Sequence, residues 1–411
     1  MPARSGDDEV ATGAGLAPPE HASWSTNPIA DWLVNHGGKE TDLGHFLQEF
    51  CQRLAAQGVP LFRVYMGVRP MHPEVAASNV IWRRGEAGHV QADHGYGMQL
   101  SEAYLNSPVR LILEGAGAFR RRLEGPDVVR DCSILDELAG LGVTDYVIMP
   151  LLFSTGEASF ISWTTDRPGG FATDALSLLY DLLPLLALRV ELETSYQTRR
   201  TLLTTYLGRE PARRVLAGRV RRGQIESIRA AIWISDLRGF TRLSDRLAPR
   251  AVIALLDDYF DVLAQAVEGN GGEILKFLGD GMLAIFEQGT DAGTQCTSAL
   301  AAAKDALAGL ADSNAERTGE GQPAIRFGIG LHVGEVQFGN IGSRQRLDFT
   351  VIGPAVNEAA RVEALCKELG KPLLVSAAFA AAAGHRGLRS LGAHALRGIE
   401  EQQEIYALEK S

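Results

Sequence analysis

Ala231-Ile232-Trp233-Ile234 runs directly into Ser235-Asp236-Leu237-Arg238-Gly239-Phe240-Thr241, an apolar segment that ends on an acid and a glycine. The apolar run reads as a buried strand, and the residues after it as the loop that the strand delivers. About one helix later, Glu273-Ile274-Leu275-Lys276-Phe277-Leu278 and Met282-Leu283-Ala284-Ile285-Phe286 read as two strands, joined by a tight turn at Gly279-Asp280-Gly281. A third stretch is Asp348-Phe349-Thr350-Val351-Ile352-Gly353-Pro354-Ala355-Val356-Asn357-Glu358-Ala359-Ala360-Arg361. Two aspartates at strand ends, a glycine-bearing loop, and an Asn/Arg pair on a helix point to metal-assisted chemistry on a polyphosphate.

Outward from these pieces, Pro249 to Glu268 reads as a helix with Pro249 in its first turn, closed by Gly269-Asn270-Gly271-Gly272. An Ala-rich helix is expected from about Thr294 to Ala311, then a loop to Gln322. Strands are expected at Ile325 to Val333 and Val336 to Asn340, a helix at Pro354 to Leu369, and short strands near Leu373 to Val375 and Glu404 to Leu408. Strands and helices alternate but hairpins intrude. The expected fold class is therefore α+β, with a ferredoxin-like βαββαβ core over 226–411.

Toward the N-terminus, 1–28 is rich in Gly, Ala, Pro, Ser and acids and reads as a disordered tail. Residues 29–184 read as an α+β sensory-type domain. Its helix from Thr41 to Gln57 is capped by Thr41 or Asp42, and strands are expected at Leu61 to Val68 and Asn79 to Trp82. Pro108 to Glu114 reads as helical. Tyr146 to Phe153 and Ala158 to Trp163 form a hairpin across Ser154-Thr155-Gly156-Glu157, and a helix follows from Thr173. That hairpin and final helix resemble the closing half of GAF-type ligand-binding domains. His72, His89 and His94 stand singly, are read as loop or core residues, and no cofactor is assigned to them.

Residues 185–225 read as a helical linker. Leu185, Leu188, Leu192 and Tyr196 or Leu202 recur at near-heptad spacing, which suits a parallel dimer. Pro184 is expected to start or kink this helix rather than sit mid-span. Arg199, Arg200, Arg209, Arg213, Arg214, Arg219, Arg221 and Arg222 read as a solvated basic face.

The 411 residues carry 40 basic and 50 acidic side chains, for a net charge of −10, so there is no bulk electrostatic case for nucleic-acid binding. Cys51, Cys132, Cys296 and Cys366 show no metal-ligand spacing and fit reduced thiols. No run is apolar and long enough to span a bilayer, and a cytoplasmic protein is expected.

Taken singly, Asp236 reads as a turn residue and Asp280 as a hairpin residue. Taken together, each beside its own buried strand, they read as ligands for Mg²⁺ or Mn²⁺, hard cations that favour carboxylates and phosphates. Gly239 allows close backbone approach to a phosphate. Asn357 and Arg361, four apart, share a helix face. Lys276, in an apolar strand, needs a partner that a base edge could supply, and the Thr350 hydroxyl could meet an exocyclic amine.

The segments Ser235–Thr241, Lys276–Phe286 and Asp348–Arg361 resemble, in order and spacing, the signature motifs of class III nucleotidyl cyclases. The resemblance implies two metal ions per site held by Asp236 and Asp280 with help from the Leu237 carbonyl. It implies that substrate is contacted by Lys276, Thr350, Leu237, Gly239, Phe240 and Thr241, and the transition state by Asn357 and Arg361. The Lys276/Thr350 pair resembles a subgroup of adenylyl cyclases, which implies ATP as substrate and cyclic AMP and pyrophosphate as products. A homodimer with sites shared between catalytic domains is also implied, together with regulation by an unidentified small-molecule or protein signal at the N-terminal domain. The rival expectations are a catalytically silent nucleotide-binding or dimerisation module and a guanylyl cyclase. A diguanylate cyclase should show a Gly-Gly-Asp/Glu-Glu-Phe turn where this chain has Gly279-Asp280-Gly281-Met282-Leu283.

Overall fold

The structure is a computed structural model and describes residues 27–35, 42–126, 128–287 and 291–409. The tail expected at 1–28 thus lies, but for its last two residues, outside the described residues, as does Thr41. The chain divides into two compact units, Met1–Arg199 and Arg200–Ser411.

In the first unit, α1 (Pro28–Asn35) and α2 (Leu43–Ala56) precede the strands β1 (Arg63–Val68), β2 (Val75–Arg83) and β3 (Val90–Gly95). The short helices α3 (Glu102–Leu105) and α4 (Pro108–Leu113), then β4 (Phe119–Arg122) and α5 (Ser133–Gly140), lead to the hairpin β5 (Asp145–Leu152) and β6 (Ala158–Thr165). The six strands form one antiparallel sheet in the order β3-β2-β1-β6-β5-β4. One face buries Trp163, Val64 and Met66 against Phe46, Phe50 and Leu54 of α2. The other buries Tyr146, Ile148 and Phe160 against Ile112, Leu135 and Leu138. β3 and β4 escaped sequence reading because they are edge strands with few buried side chains, so no apolar alternation marks them.

Helix α6 (Thr173–Leu207) ends the unit and runs past its boundary. Pro184 lies mid-span in α6 rather than at the start of a helix. Its missing N–H leaves the carbonyl of Tyr180 without a helical donor, but Pro184 and Tyr180 both face solvent, where water can take over. Leu179, Leu182, Leu186 and Val190 hold the opposite side in the core. Leu188, Leu192 and Tyr196 of the near-heptad stripe are exposed.

The second unit opens with α7 (Arg209–Leu216), β7 (Ile225–Leu237), α8 (Phe240–Ser244) and α9 (Pro249–Gly269). The hairpin β8 (Glu273–Leu278) and β9 (Gly281–Phe286) and the helix α10 (Ala292–Gly319) follow. Then come β10 (Phe327–Gly342), β11 (Leu347–Ile352), α11 (Pro354–Leu369), β12 (Leu373–Ser376), α12 (Ala377–Ala382), β13 (Leu388–His394) and β14 (Gln403–Leu408). The sheet runs β13-β14-β12-β10-β7-β9-β8, with β11 paired to β10. Alternation along β7 sends Ala231 and Trp233 to the face covered by α9, α10 and α12, and Ala230 and Ile232 to the face covered by α11.

Two elements are longer than their sequence suggests. α10 continues to Gly319 through residues read as a loop. The side chain of Asn314 in this extension exchanges hydrogen bonds with the Ile325 backbone at 2.6 and 2.8 Å, and buried Arg317 donates to Asp258 at 2.6 Å. These tertiary contacts outweigh weak local propensity. β10 likewise passes through Gly334-Glu335 without a break and pairs with β7 from Phe327↔Leu237 to Gly339↔Ile225.

The basic connector also differs from expectation at one residue. Arg214 is largely withdrawn from solvent, its side chain 12% exposed. It donates to Glu210 at 2.6 Å, pairs with Glu226, reaches Glu287 at 3.6 Å, and stacks over the Phe338 ring at 4.6 Å. A guanidinium is suited to this place because it can meet several carboxylates in its plane and an aromatic face above it. Among the described residues no helix is long and apolar enough to cross a membrane.

Candidate active site

Asp236 sits near the end of β7, on the face toward α11, and its ladder partner on β9 is Gly281. The β8–β9 turn consists of Gly279 and Asp280, with Leu278 paired to Gly281. Positive φ is confined to Gly279 (67°), the pattern of a two-residue II′ turn with glycine first. The turn lies within the expected Gly279-Asp280-Gly281 stretch, with Gly281 already the first residue of β9. That register places Gly281 opposite Asp236 and brings the Asp280 side chain to the Asp236 carboxylate.

The electrostatics record this closeness. Burial raises the Asp236 carboxyl above its ordinary value, and the charge and hydrogen bond of Asp280 push it in the same direction. The Leu237 amide and Arg238 oppose the rise. Two acids that share one half-buried space disfavour joint ionisation unless a cation stands between them. The donor set is all oxygen, which fits Mg²⁺ or Mn²⁺ better than a soft metal.

A third carboxylate belongs to this cluster and was missed in the sequence. Glu363 of α11 is pushed up to about 7, first by burial, then by Asp236, with Arg238 opposing and Asp280 adding to the rise. It faces the sheet beside Arg238: a Cβ placed on Gly328 would lie 2.1 Å from Arg238 Nη2 and 2.8 Å from Glu363 Oε1. An acid on the sheet-facing side of an amphipathic helix, among Val362, Leu365 and Cys366, was the available signal.

The loop residues follow at once. Gly239 has φ 74° and precedes α8, which begins with Phe240 and Thr241. The Leu237 side chain is buried in the core, so only its backbone can serve a ligand.

Lys276 and Thr350 lie on β8 and β11. The Lys276 ammonium stands 3.6 Å from Asp348, which supplies the partner its strand position called for. The Thr350 hydroxyl is buried and has no hydrogen-bond partner among the described residues. Asn357 is exposed and Arg361 half-buried on α11, and neither side chain has a hydrogen bond or ion pair among the described residues. Glu363, two residues beyond Arg361, turns the other way toward the sheet. The helix thus carries one acid facing the aspartates and an Asn/Arg pair facing outward.

Residues 224–410 match the family described as the adenylate and guanylate cyclase catalytic domain. The match lies within the second unit, which is similar to a cyclase catalytic domain. An adenylate cyclase of Anabaena cylindrica is 38% identical over 158 residues, which cover 38% of this chain and 30% of the relative. Adenylate cyclase 1 of Rhizobium meliloti is 30% identical over 177 residues, covering 42% of this chain and 26% of that protein. The matched stretch thus spans less than a third of either curated relative. The crystal structure of the adenylyl cyclase CyaB from P. aeruginosa aligns with TM-score 0.43 at 25% identity, over 46% of this chain and 97% of that one. The cyclase domain matched by the family contains every site residue named above, from Asp236 to Glu363.

Proposed function

We propose that this chain is an adenylate cyclase that converts ATP to 3′,5′-cyclic AMP and pyrophosphate. The observation that carries the reading is the Asp236/Asp280 pair, two carboxylates brought together by the β7–β9 register, with Asp236 raised by burial and by the charge of Asp280. Asp236 and Asp280, with the Leu237 backbone, would hold two Mg²⁺ or Mn²⁺ ions. Such ions supply activation of the attacking ribose hydroxyl and neutralisation of the leaving pyrophosphate. Gly239 and the first residues of α8 let the backbone approach the triphosphate.

The rest of the reading follows from what the remaining side chains can do. Lys276 donates to a ring nitrogen of adenine, and the unpartnered Thr350 hydroxyl meets the exocyclic amine. Asn357 orients the ribose, and Arg361 spreads charge over the α-phosphoryl group as the ring closes. Catalysis is then positioning and charge stabilisation, with no covalent intermediate on the protein.

The Asn/Arg pair faces outward from α11, whereas Glu363 of the same helix turns toward the aspartates. This supports a two-fold assembly, in which one subunit gives the aspartates and its twin gives Lys276, Thr350, Asn357 and Arg361. The exposed Leu188, Leu192 and Tyr196 stripe supports a helix pairing with its twin in the same dimer. Within the second unit, the chain order β7-α9-β8-β9-α10-β10 and the sheet order β10-β7-β9-β8 support the ferredoxin-like reading of its core. The six-stranded sheet with helices on both faces supports a GAF-like sensory role for the first unit. The test is a nucleotide panel, ATP against GTP with Mg²⁺ against Mn²⁺, and identification of the product. Cyclic AMP from ATP is expected; cyclic GMP as the main product would move the assignment to a guanylyl cyclase.

A further inference from the structure

The first unit brings His89 to Asp42 and His45 at the start of α2. Asp42 caps α2 and accepts from the Gly44 amide at 2.9 Å. Its other oxygen lies 2.7 Å from His45 Nδ1 and 3.8 Å from His89 Nε2. The three ligand-type atoms all fall within 4.8 Å of one another. The His45 and His89 rings are 5.0 Å apart between centroids and nearly perpendicular, at 78°. Two imidazoles on one tetrahedral ion, at the usual ~2.0–2.1 Å metal–nitrogen distance, would hold their ring centres about 5 Å apart.

Two further features single out His89. Gly44 is the second residue of α2, in its first turn. A Cβ at that position would come within 2.0 Å of His89 Nε2, so the imidazole rests on the first turn of the helix and only glycine leaves it room. The other ring nitrogen, Nδ1, is buried with no hydrogen-bond partner among the described residues, and the side chain is only 15% exposed. At 3.8 Å, Asp42 is too far from Nε2 for a hydrogen bond. Nε2 has no hydrogen bond among the described residues, and an ion there would supply that nitrogen with a partner.

We propose that Asp42, His45 and His89 form a binding site for a divalent transition-metal ion. The ligands are His45 Nδ1, His89 Nε2 and an Asp42 carboxylate oxygen, and the largely exposed His45 marks the side on which a coordination position stays open to solvent. Two imidazoles and one carboxylate favour zinc and its first-row neighbours over Mg²⁺ or Ca²⁺. The site is separate from the aspartate pair of the second unit and does not depend on the cyclase reading. The competing account is that Asp42 and His45 form a helix-capping pair on which His89 merely packs.

The full-length chain carrying Asp236→Asn and Asp280→Asn removes the other carboxylate pair from the titration. Zinc binding to this protein, followed by calorimetry and by zinc K-edge X-ray absorption, should show one equivalent per chain with scattering from two imidazoles. A hundredfold excess of Mg²⁺ should not displace it. His45→Ala, at an exposed position, and His89→Ala should each abolish that equivalent. Asp42→Asn keeps a capping side chain but should weaken binding about tenfold or more. Gly44→Ala favours the helix yet displaces His89, and should weaken binding at least tenfold. No stoichiometric zinc, or binding unchanged in His89→Ala or Gly44→Ala, would overturn the proposal in favour of the capping pair.

Discussion

Gly281 stands opposite Asp236 across the β7–β9 ladder, and a Cβ on it would lie 2.8 Å from the Ser235 carbonyl and 3.3 Å from Asp236 Oδ1. The glycine is what lets the hairpin close against the carboxylate. Gly281→Ala must therefore push the β8–β9 turn away from β7. We expect a loss of about 1–3 kcal/mol in stability, as for overpacking elsewhere, and at least a tenfold loss of cyclase rate with a higher Mn²⁺ requirement. Denaturant midpoints and metal-dependent rates would read both. Wild-type kinetics in a well-folded variant would mean that the spacing of the two acids does not limit the reaction.

Thr350 offers the opposite dissociation of stability and activity. Its hydroxyl is buried without a partner among the described residues, so Thr350→Val should leave the fold unchanged or about 1 kcal/mol more stable. If the hydroxyl meets the base, the same variant should raise KM for ATP and narrow the preference over GTP several-fold. A variant with unaltered KM and selectivity would remove Thr350 from base recognition.

The two-subunit arrangement can be tested by mixing. Asp236→Ala and Arg361→Ala chains should each be inactive. Their mixed dimer should regain activity, because one of its two sites would contain only intact residues. Mixed dimers confirmed by mass that remain inactive would rule out sites shared across the two-fold axis.

Arg214 ties α7 to the sheet through Glu226, Glu287 and the Phe338 ring, and pairs with Glu210 within the helix. Arg214→Met leaves Glu210, Glu226 and Glu287 facing one another. Breaking a buried ion pair costs about 3–5 kcal/mol, and the partial exposure of Glu226 lowers the expectation here to about 2 kcal/mol. Chemical denaturation should show that loss. A change below about 0.5 kcal/mol, the range of ordinary surface substitutions, would mark the cluster as surface electrostatics.

His332 gives a pH signature. Its Nδ1 lies 2.8 Å from Ser376 Oγ and 3.5 Å from Glu358. Burial pulls the imidazole below its ordinary 6.5, against the opposing charge of Glu358. The folded state therefore binds this proton less readily than the unfolded chain. The associated stability is complete above about pH 6.5 and is lost as the pH falls below it. His332→Gln should flatten that part of the stability curve; an unchanged acid limb would show that other groups dominate it.

Much of the second unit was legible because its segments are apolar and bounded by glycine or proline. The helix at Pro354–Leu369 and the β8–β9 strands have the extents expected to within a residue or so. What could not be read were consequences of tertiary pairing. The extra turns of α10 depend on Asn314 reaching Ile325, and the seat of Gly281 opposite Asp236 depends on the β7 register. Glu363 and the burial of Arg214 were hidden for the same reason, since each is explained only by a neighbour distant in sequence. Lys276 was legible as a residue in need of company, but its neighbour Asp348 was not.

The seat of α11 on β10 has one last consequence. Gly330 lets the backbone of Ala359 and Glu363 approach so closely that a Cβ there would be 2.4 Å from the Glu363 amide nitrogen, and Gly334 does the same beneath the Ala355 methyl at 2.6 Å. Backbone rests nearly on backbone, with no cushion of long side chains to absorb play. Asn357 and Arg361 therefore inherit the stiffness of a central strand, and their aim is fixed by the sheet rather than by the rotamer freedom of a soft layer.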